Sequence, residues 1–139
     1  MNLEHLIQIL DKNEEVGKND SDINDVQISV ANIKLRKNGI AQIPDDFAKL
    51  LKKYNGLSCG GNTIFGINTG TSFFPDLVDF NLNMLADEDV SCVILGQDDD
   101  FYLIYDEEKL CYRIIDQSDF FEELSTDDLT TAITWILKI

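Results

Sequence analysis

The chain opens with apolar residues at helical spacing. They are Leu3, Leu6, Ile7 and Leu10, which fall on one stripe of a helix. Asn2 stands just before this stripe as an available N-cap, so the pattern predicts a first helix. Residues 11–25 are polar, contain Gly17 and show no periodicity, and we therefore predict a loop there.

The next apolar pattern, in residues 26–40, fits two kinds of secondary structure. A helix would align the apolar residues Ile23, Val26, Val30 and Ile33. Every second residue from Val26 to Val30 is also apolar, as in a half-buried strand. Asn38 and Gly39 form a typical helix end, so we predict a helix that ends at this pair.

Residues 44–56, "PDDFAKLLKKYNG", carry signals for the start, the buried face and the end of a helix. Pro44 suits the first turn; acidic residues follow it and lysines come last, as the helix dipole favours. The predicted buried stripe is Phe47, Leu50, Leu51 and Tyr54. Asn55 and Gly56 both tolerate left-handed backbone, so we predict that they cap the helix.

Two short elements are predicted after this helix. The apolar run "NTIFGI" lies between two turn signals, Gly60-Gly61 and Asn68-Thr69-Gly70, which is typical of a strand. Further on, Pro75 and Asp76 form a start signal. The apolar residues that follow at helical spacing are Leu77, Phe80 and Met84. They indicate a short helix or an irregular segment.

Three apolar runs then alternate with short acidic segments. The runs are Val90–Leu95, Phe101–Tyr105 and Leu110–Ile115, separated by "GQDDD" and "DEEK". Connections of this length join antiparallel neighbours, so the pattern predicts a three-stranded meander with two acidic hairpin tips. Because the runs are almost continuously apolar, we expect helices or loops to cover both faces of a central sheet.

The last segment has the pattern of an amphipathic helix. Its predicted buried face is Leu129, Ala132, Ile133, Ile136 and Leu137. Ser125 and Asp128 have the spacing of a capping box, and Leu124 with Leu129 has that of a hydrophobic staple. The whole pattern predicts one α+β domain over residues 1–139. A mainly antiparallel sheet of about four to six strands lies between N-terminal helices and a closing C-terminal helix.

Charge is distributed unevenly along the chain. The sequence has 26 acidic and 11 basic residues, for a net charge of −15. Residues 1–55 contain nine acidic and eight basic residues, whereas residues 56–139 contain seventeen and three. Such a surface repels nucleic acid and anionic lipid, and it attracts a basic partner. Acidity can equally serve solubility alone.

Targeting signals and cysteine pairs are not indicated. The sequence has no basic segment followed by an apolar core at its start, and no apolar run of membrane-spanning length, so we expect a cytoplasmic protein. The three cysteines, Cys59, Cys92 and Cys111, form no C-x-x-C motif. We therefore expect reduced thiols and no zinc site.

The motifs of common catalytic sites are incomplete in this chain. The glycines of residues 56–70 match neither the dinucleotide motif nor the P-loop, which needs Lys-Ser/Thr after its last glycine. His5 is the only histidine and falls outside the apolar stripe of the first helix. In the calcium-loop-like "DSDIND", Asp25 and Ala31 stand where glycine and glutamate are needed. We predict no cofactor, no metal and no enzymatic activity; an enzyme would need a cleft with pKa-shifted carboxylates.

The two acidic tips are the candidate partner-binding site. For any single residue, a solvated turn or sheet packing is the favoured interpretation. The functional alternative is that both tips meet a basic surface on a partner protein. The candidate residues are Asp98, Asp99, Asp100, Asp106, Glu107 and Glu108, with Tyr102 and Tyr112 as aromatic anchors if they are exposed.

One ordered set of residues resembles a known family. Residues 40–138 contain a proline and acidic helix start, an aromatic residue before Asn-Gly, a short strand ending near glycine, and later strands. The positions that carry this pattern are Pro44, Phe47, Leu51, Tyr54, Asn55, Gly56, Ile64, Phe65 and Gly66. In this order and spacing the chain resembles the SUKH superfamily, typified by the yeast Smi/Knr cell-wall synthesis regulators. Residues 11–30 depart from the family pattern.

The resemblance implies a binding protein without enzymatic activity. Bacterial members of the superfamily are mostly immunity proteins that bind and neutralise a cognate polymorphic or contact-dependent toxin, often a nuclease. The yeast members are regulatory interaction proteins. The leading hypothesis is therefore a cytoplasmic immunity protein, a monomer or weak dimer, whose acidic half meets a basic toxin surface. The alternative is a regulatory or scaffolding module without a toxin partner. Neither requires contact with nucleic acid or membrane.

Overall fold

The computed structural model describes residues 3–71, 73–86 and 90–139 and shows an α+β fold. In these ranges the helices are α1 (Leu3–Lys12), α2 (Asp25–Lys37), α3 (Asp45–Lys53), α4 (Leu77–Leu85) and α5 (Leu129–Leu137). The strands are β1 (Gly17–Asp20), β2 (Tyr54–Cys59), β3 (Asn62–Ile64), β4 (Cys92–Gln97), β5 (Phe101–Asp106), β6 (Cys111–Asp116) and β7 (Glu122–Thr126). No helix in these ranges combines the length and the apolar character that a membrane crossing needs.

The strands form one antiparallel sheet in which spatial order equals chain order, from β1 to β7. Helices α2 and α3 connect β1 to β2, and α4 connects β3 to β4. The predicted class is confirmed, but the sheet has seven strands where four to six were expected. The predicted loop over residues 11–25 is wrong in part, because β1 lies inside it and pairs with β2.

The middle of the sheet is buried on both faces, as its continuous apolar strands predict. Residues 93–96 of β4 and 102–104 of β5 are buried without alternation. Helix α5 packs on β3, β5 and β6, while α4 packs on β4. The predicted buried face of α5 is confirmed in full, and it contributes Leu129, Ala132, Ile133, Ile136 and Leu137 to the core.

The start of α5 differs from the predicted capping box. Ser125 and Leu124 lie in β7, where they pair with Arg113 and Ile114 of β6. Asp128 is itself the N-cap, because its carboxylate accepts hydrogen bonds from the backbone N–H of Thr131 at 3.1 Å and from its hydroxyl at 2.7 Å. The helix therefore begins three residues later than the box implied.

Helix α2 ends where predicted but buries a different face. Asn38 is its C-cap, as expected. The buried residues of α2 are Ile28, Ala31 and Leu35. Three of the four residues of the predicted stripe are turned to solvent, with Val26 70 %, Val30 47 % and Ile33 56 % exposed. The fourth, Ile23, precedes the helix and is buried. An amphipathic pattern with apolar residues on both sides of a helix cannot identify the buried side by spacing alone.

Helix α3 runs directly into β2, so the predicted Asn-Gly cap is wrong. The residue after α3, Tyr54, has extended backbone and begins the strand. Its hydroxyl donates to Asp11 of α1, and this hydrogen bond, with burial and the charge of Asp11, raises the pKa of Tyr54 to about 12. Asn55 and Gly56 are consequently strand residues, and Asn55 is buried.

Gly66 packs closely against Asn55. The Asn55 side-chain amide donates to the Ile67 carbonyl at 2.8 Å, and its oxygen accepts from the Ile67 N–H at 2.8 Å. A Cβ atom at Gly66 would lie 2.5 Å from the Asn55 carbonyl oxygen, so only glycine fits there. The positions behind the family resemblance thus have structural roles, with Phe47, Leu51 and Phe65 almost completely buried.

The remaining predicted elements are confirmed with small changes. Gly60 and Gly61, both with positive φ, form the two-residue turn between β2 and β3. Helix α1 buries Leu6 and Leu10, while the predicted cap residue Asn2 lies outside the described residues. Helix α4 starts at the predicted signal, with Asp76 as its N-cap.

Candidate functional site

The two acidic tips lie at opposite ends of strand β5. Strand β5 joins them, with residues 98–100 before it and residues 107–110 after it. Six residues of extended strand separate the tips by about 17 Å. The predicted single surface made from both tips is therefore not formed. A meander requires this arrangement, because two consecutive antiparallel hairpins turn at opposite ends of the strand that they share.

Asp98 is a structural residue of the first tip and not part of an exposed surface. Its side chain is 3 % exposed and lies 2.8 Å from Lys138 Nζ. It also accepts hydrogen bonds from the N–H groups of Asp100 at 2.8 Å and Phe101 at 2.6 Å. Burial opposes ionisation, but the Lys138 and backbone hydrogen bonds outweigh it and lower the pKa of Asp98.

Replacing this carboxylate should reduce stability in a pH-dependent way. We expect Asp98→Asn to be less stable than the wild type by about 1–2 kcal/mol at pH 7, because the ion pair with Lys138 is lost. A lowered folded-state pKa stabilises the protein above about pH 4, and this contribution disappears as pH falls through the folded value. Urea unfolding from pH 3 to 7 measures it. Asp99→Asn is the exposed control; an equal loss in both variants would contradict the role of Asp98.

The second tip is also held together by its own charges. The Asp106 carboxylate accepts from the N–H groups of Glu108 and Lys109 at 3.0 and 3.1 Å and lies 3.3 Å from Arg113. Glu107 forms a 2.9 Å ion pair with Arg36 of α2. Glu108 accepts a hydrogen bond from the Ser91 hydroxyl at 3.1 Å. Asp106 organises the turn and Glu107 is paired, whereas Glu108 is exposed.

The two tyrosines predicted as aromatic anchors if exposed do not meet that condition, since both are buried. Tyr102 is 7 % exposed and Tyr112 is 2 % exposed. Tyr102 packs edge-on against Phe80, and Tyr112 packs against Tyr105 with ring centroids 5.1 Å apart. Of the predicted site, Asp99, Asp100 and Glu108 are exposed without an ion pair in the described ranges. They are divided between the two tips and therefore do not form one binding surface.

A different acidic site lies beside the second tip. It is a cleft of about 440 Å³ between the start of α3, the β5–β6 hairpin and the link from β7 to α5. We call it the acidic cleft. Its lining residues are Gln42, Pro44, Asp45, Asp46, Tyr105, Glu107, Leu110, Tyr112 and Asp127.

Each wall of the acidic cleft is positioned by ordinary folding rules. Pro44 is the N-cap of α3 and places two carboxylates, Asp45 and Asp46, in the first helical turn, where the dipole favours them. Tyr105 and Tyr112 pair across β5 and β6. Asp127 precedes the N-cap of α5. These segments are far apart in sequence, and only the closed sheet brings them together.

Three carboxylates of the cleft carry no compensating charge. Glu107 is paired with Arg36, whereas Asp45, Asp46 and Asp127 form no ion pair with any described residue. The acidic cleft is thus a concentrated negative site beside aromatic rings.

The carboxylates of the cleft affect the pKa values of its two tyrosines. Burial raises the pKa of Tyr105, and the nearby thiol of Cys111 and the carboxylates of Glu107, Asp46 and Asp45 raise it further. Burial also raises the pKa of Tyr112, with a further contribution from Asp46. Both phenols therefore stay protonated at neutral pH and are able to donate or accept hydrogen bonds.

The chemistry available elsewhere points away from nucleophilic catalysis. Burial and the neighbouring Asp106 raise the pKa of the Cys92 and Cys111 thiols, which makes them poor nucleophiles at neutral pH. His5 is exposed on α1. Within the described residues, no three His, Cys, Asp or Glu side chains are grouped as metal ligands.

Comparison with known proteins adds no assignment. No protein-family model matches the chain, and a search of curated protein sequences found no match. The function is therefore inferred from the geometry of the site together with the resemblance described above.

Proposed function

We propose that the chain is a non-enzymatic, SUKH-like immunity protein that binds a cognate toxin and blocks it through the acidic cleft. The observation that carries this proposal is a single cleft lined by two tyrosines and by three carboxylates, Asp45, Asp46 and Asp127, that form no ion pair with a described residue. A basic surface on the partner would supply the missing positive charges. The wider surface agrees, because residues 56–139 hold seventeen acidic and three basic residues.

The cleft replaces the two hairpin tips as the proposed binding surface. A specific protein complex buries about 1,600 Å² in total, so the contact must extend beyond the cleft to its rim. Leu110 is 70 % exposed on that rim and supplies apolar area next to the charges. Interfaces with this arrangement combine a partly apolar centre with charges that steer association.

The partner proposed here is a protein and not a nucleic acid. Phosphate groups would be repelled by the carboxylates that line the cleft, whereas many toxins that cleave nucleic acids carry basic substrate-binding surfaces. An acidic protein can cover such a surface and compete with the substrate. Its association rate should then fall steeply as salt concentration rises, because steering charges are screened over about 10 Å at 0.1 M salt.

Co-expression tests the proposal. The chain is expressed together with the toxin domain encoded by an adjacent gene, and growth and complex formation are measured. We expect growth to be restored and the two proteins to co-purify in a fixed ratio. A second culture expresses the toxin with an unrelated acidic protein as the control for net charge. Persistent growth arrest without a complex would overturn the proposal, whereas a complex without rescue would favour the regulatory alternative.

A further inference from the structure

We infer that the acidic cleft receives the guanidinium group of one arginine side chain from the partner protein. This inference rests on the proposed function and names the chemical group that the cleft recognises. Three observations support it: the distribution of hydrogen-bond acceptors, the rings of Tyr105 and Tyr112 that line the cleft, and the Tyr112 hydroxyl, which has no hydrogen-bond partner among the described residues.

The acceptors of the cleft come from separate walls. Asp45 and Asp46 lie at the start of α3, and Asp127 lies in the link before α5; all three line the cleft. A guanidinium group presents five N–H donors in a planar fork, and it can therefore bind acceptors that converge from different directions. A single ammonium group is a compact point charge and matches this spread less well.

The tyrosine rings of the cleft suit the flat face of a guanidinium group. Tyr105 and Tyr112 lie in paired strands, with their rings inclined by 66° and their centroids 5.1 Å apart. Tyr105 is partly exposed at the cleft, so its ring is available for stacking. Guanidinium groups stack on aromatic rings with a favourable cation–π interaction, which is stronger where water is partly excluded.

The Tyr112 hydroxyl is the independent observation. Tyr112 is only 2 % exposed and yet lines the cleft. The hydrogen bonds found among the described residues leave its hydroxyl without a protein partner. Burial raises the pKa of this phenol most, and the charges of Asp46 and Asp45, which line the same cleft, raise it further. The fully buried side-chain oxygens without a partner in the described residues are those of Thr63 and Thr69, so the Tyr112 oxygen is reached by solvent in the cleft. An arginine N–H donor would replace water at this oxygen.

A peptide titration tests this inference without the toxin. The probes are blocked pentapeptides with a central arginine, lysine or citrulline and alanine elsewhere, added to the ¹⁵N-labelled full chain. We expect the arginine peptide to shift the amide signals of residues 45–47 and 105–112 in a saturable way. The citrulline peptide, which has the same shape without the charge, should bind about tenfold more weakly. The lysine peptide should bind about threefold more weakly.

Removing the Tyr112 hydroxyl distinguishes binding in the cleft from binding through overall negative charge. Tyr112→Phe should weaken arginine-peptide binding about threefold, because one hydrogen bond is lost while the ring remains. Tyr102→Phe is the matched control, a buried tyrosine that does not line the cleft, and it should bind like the wild type. Equal binding of the arginine and citrulline peptides, equal affinity of Tyr112→Phe and the wild type, or signal changes that miss the cleft would each overturn the inference.

The two proposals fail in different experiments. If the toxin complex forms and growth is rescued while the arginine peptide does not bind, the arginine site is wrong and the proposed function stands. If the peptide binds in the cleft but no complex forms with the toxin, the immunity function is wrong and the cation site stands.

Discussion

Gly66→Ala should destabilise the protein by about 3 kcal/mol or more. The added Cβ atom would lie 2.5 Å from the Asn55 carbonyl oxygen and 2.7 Å from its side-chain oxygen. Gly66 cannot move away easily, because its N–H donates to the Pro75 carbonyl at 3.2 Å and its carbonyl accepts from Leu77 at 2.7 Å. Either the Asn55–Ile67 hydrogen bonds break or the α4 connection shifts.

Thermal unfolding followed by circular dichroism measures this effect. A loss of 3 kcal/mol corresponds to a fall in Tm of about 10 °C for a domain of this size. The matched control is Gly70→Ala, where an added Cβ would meet no atom within 4 Å. That variant should stay within about 0.5 kcal/mol of the wild type. Equal Tm values for the two variants would show that the close Asn55–Gly66 contact is not a constraint.

Neutralising the acidic cleft should weaken binding to the cognate toxin about 100-fold. The variant is Asp45→Asn, Asp46→Asn and Asp127→Asn, which keeps side-chain shape and removes three charges that have no ion-pair partner in the described ranges. If the partner's cations fill the cleft, they then lose their counter-charges in a partly desolvated site, and each lost pair contributes to the decrease. Calorimetric titration at 0.15 M salt gives the two dissociation constants.

A control variant separates local recognition from net charge. Asp22→Asn, Asp99→Asn and Glu123→Gln remove three exposed carboxylates that do not line the cleft, so both variants have the same net charge. We expect this control to weaken binding by about threefold at most, because distant charges are screened. Similar losses in both triple variants would mean that the protein binds through overall acidity. Circular dichroism confirms that each variant is folded.

Local signals in the sequence were sufficient for much of the fold. Apolar runs separated by short acidic turns predicted β4, β5 and β6, because such runs have few alternatives to a meander. The α5 face followed from spacing at 3.6 residues in an almost uniformly apolar segment. In these elements the local sequence preference and the observed burial agree, so the sequence pattern alone predicts them.

Other strands depend on partners that local patterns do not reveal. Strand β1 has the polar sequence "GKND" and extends only because β2 offers it a free edge. Strand β2 begins at the residue after α3, where the Asn-Gly pair is typical of a helix cap. The buried Asn55 side chain explains the difference, since its hydrogen bonds to Ile67 stabilise extended backbone at this point.

The candidate site was only partly accessible to sequence reasoning. The acidity of the C-terminal half is a property of composition, and the opposite directions of the two tips follow from meander topology. The acidic cleft, however, joins the start of α3 to residues more than fifty positions away. The helix dipole is a sufficient local explanation for Asp45 and Asp46. The sequence therefore gives no indication that they share a cleft with Tyr105 and Asp127.

The most direct test of the central claim is a crystal structure of the complex with the cognate toxin domain. The quantity to measure is the exposed surface of Asp45, Asp46 and Asp127 in the bound and free chains. We predict that all three lose most of their exposure and that a basic side chain of the toxin lies in the acidic cleft. A complex in which the cleft stays open to solvent and the toxin contacts another surface would contradict the account.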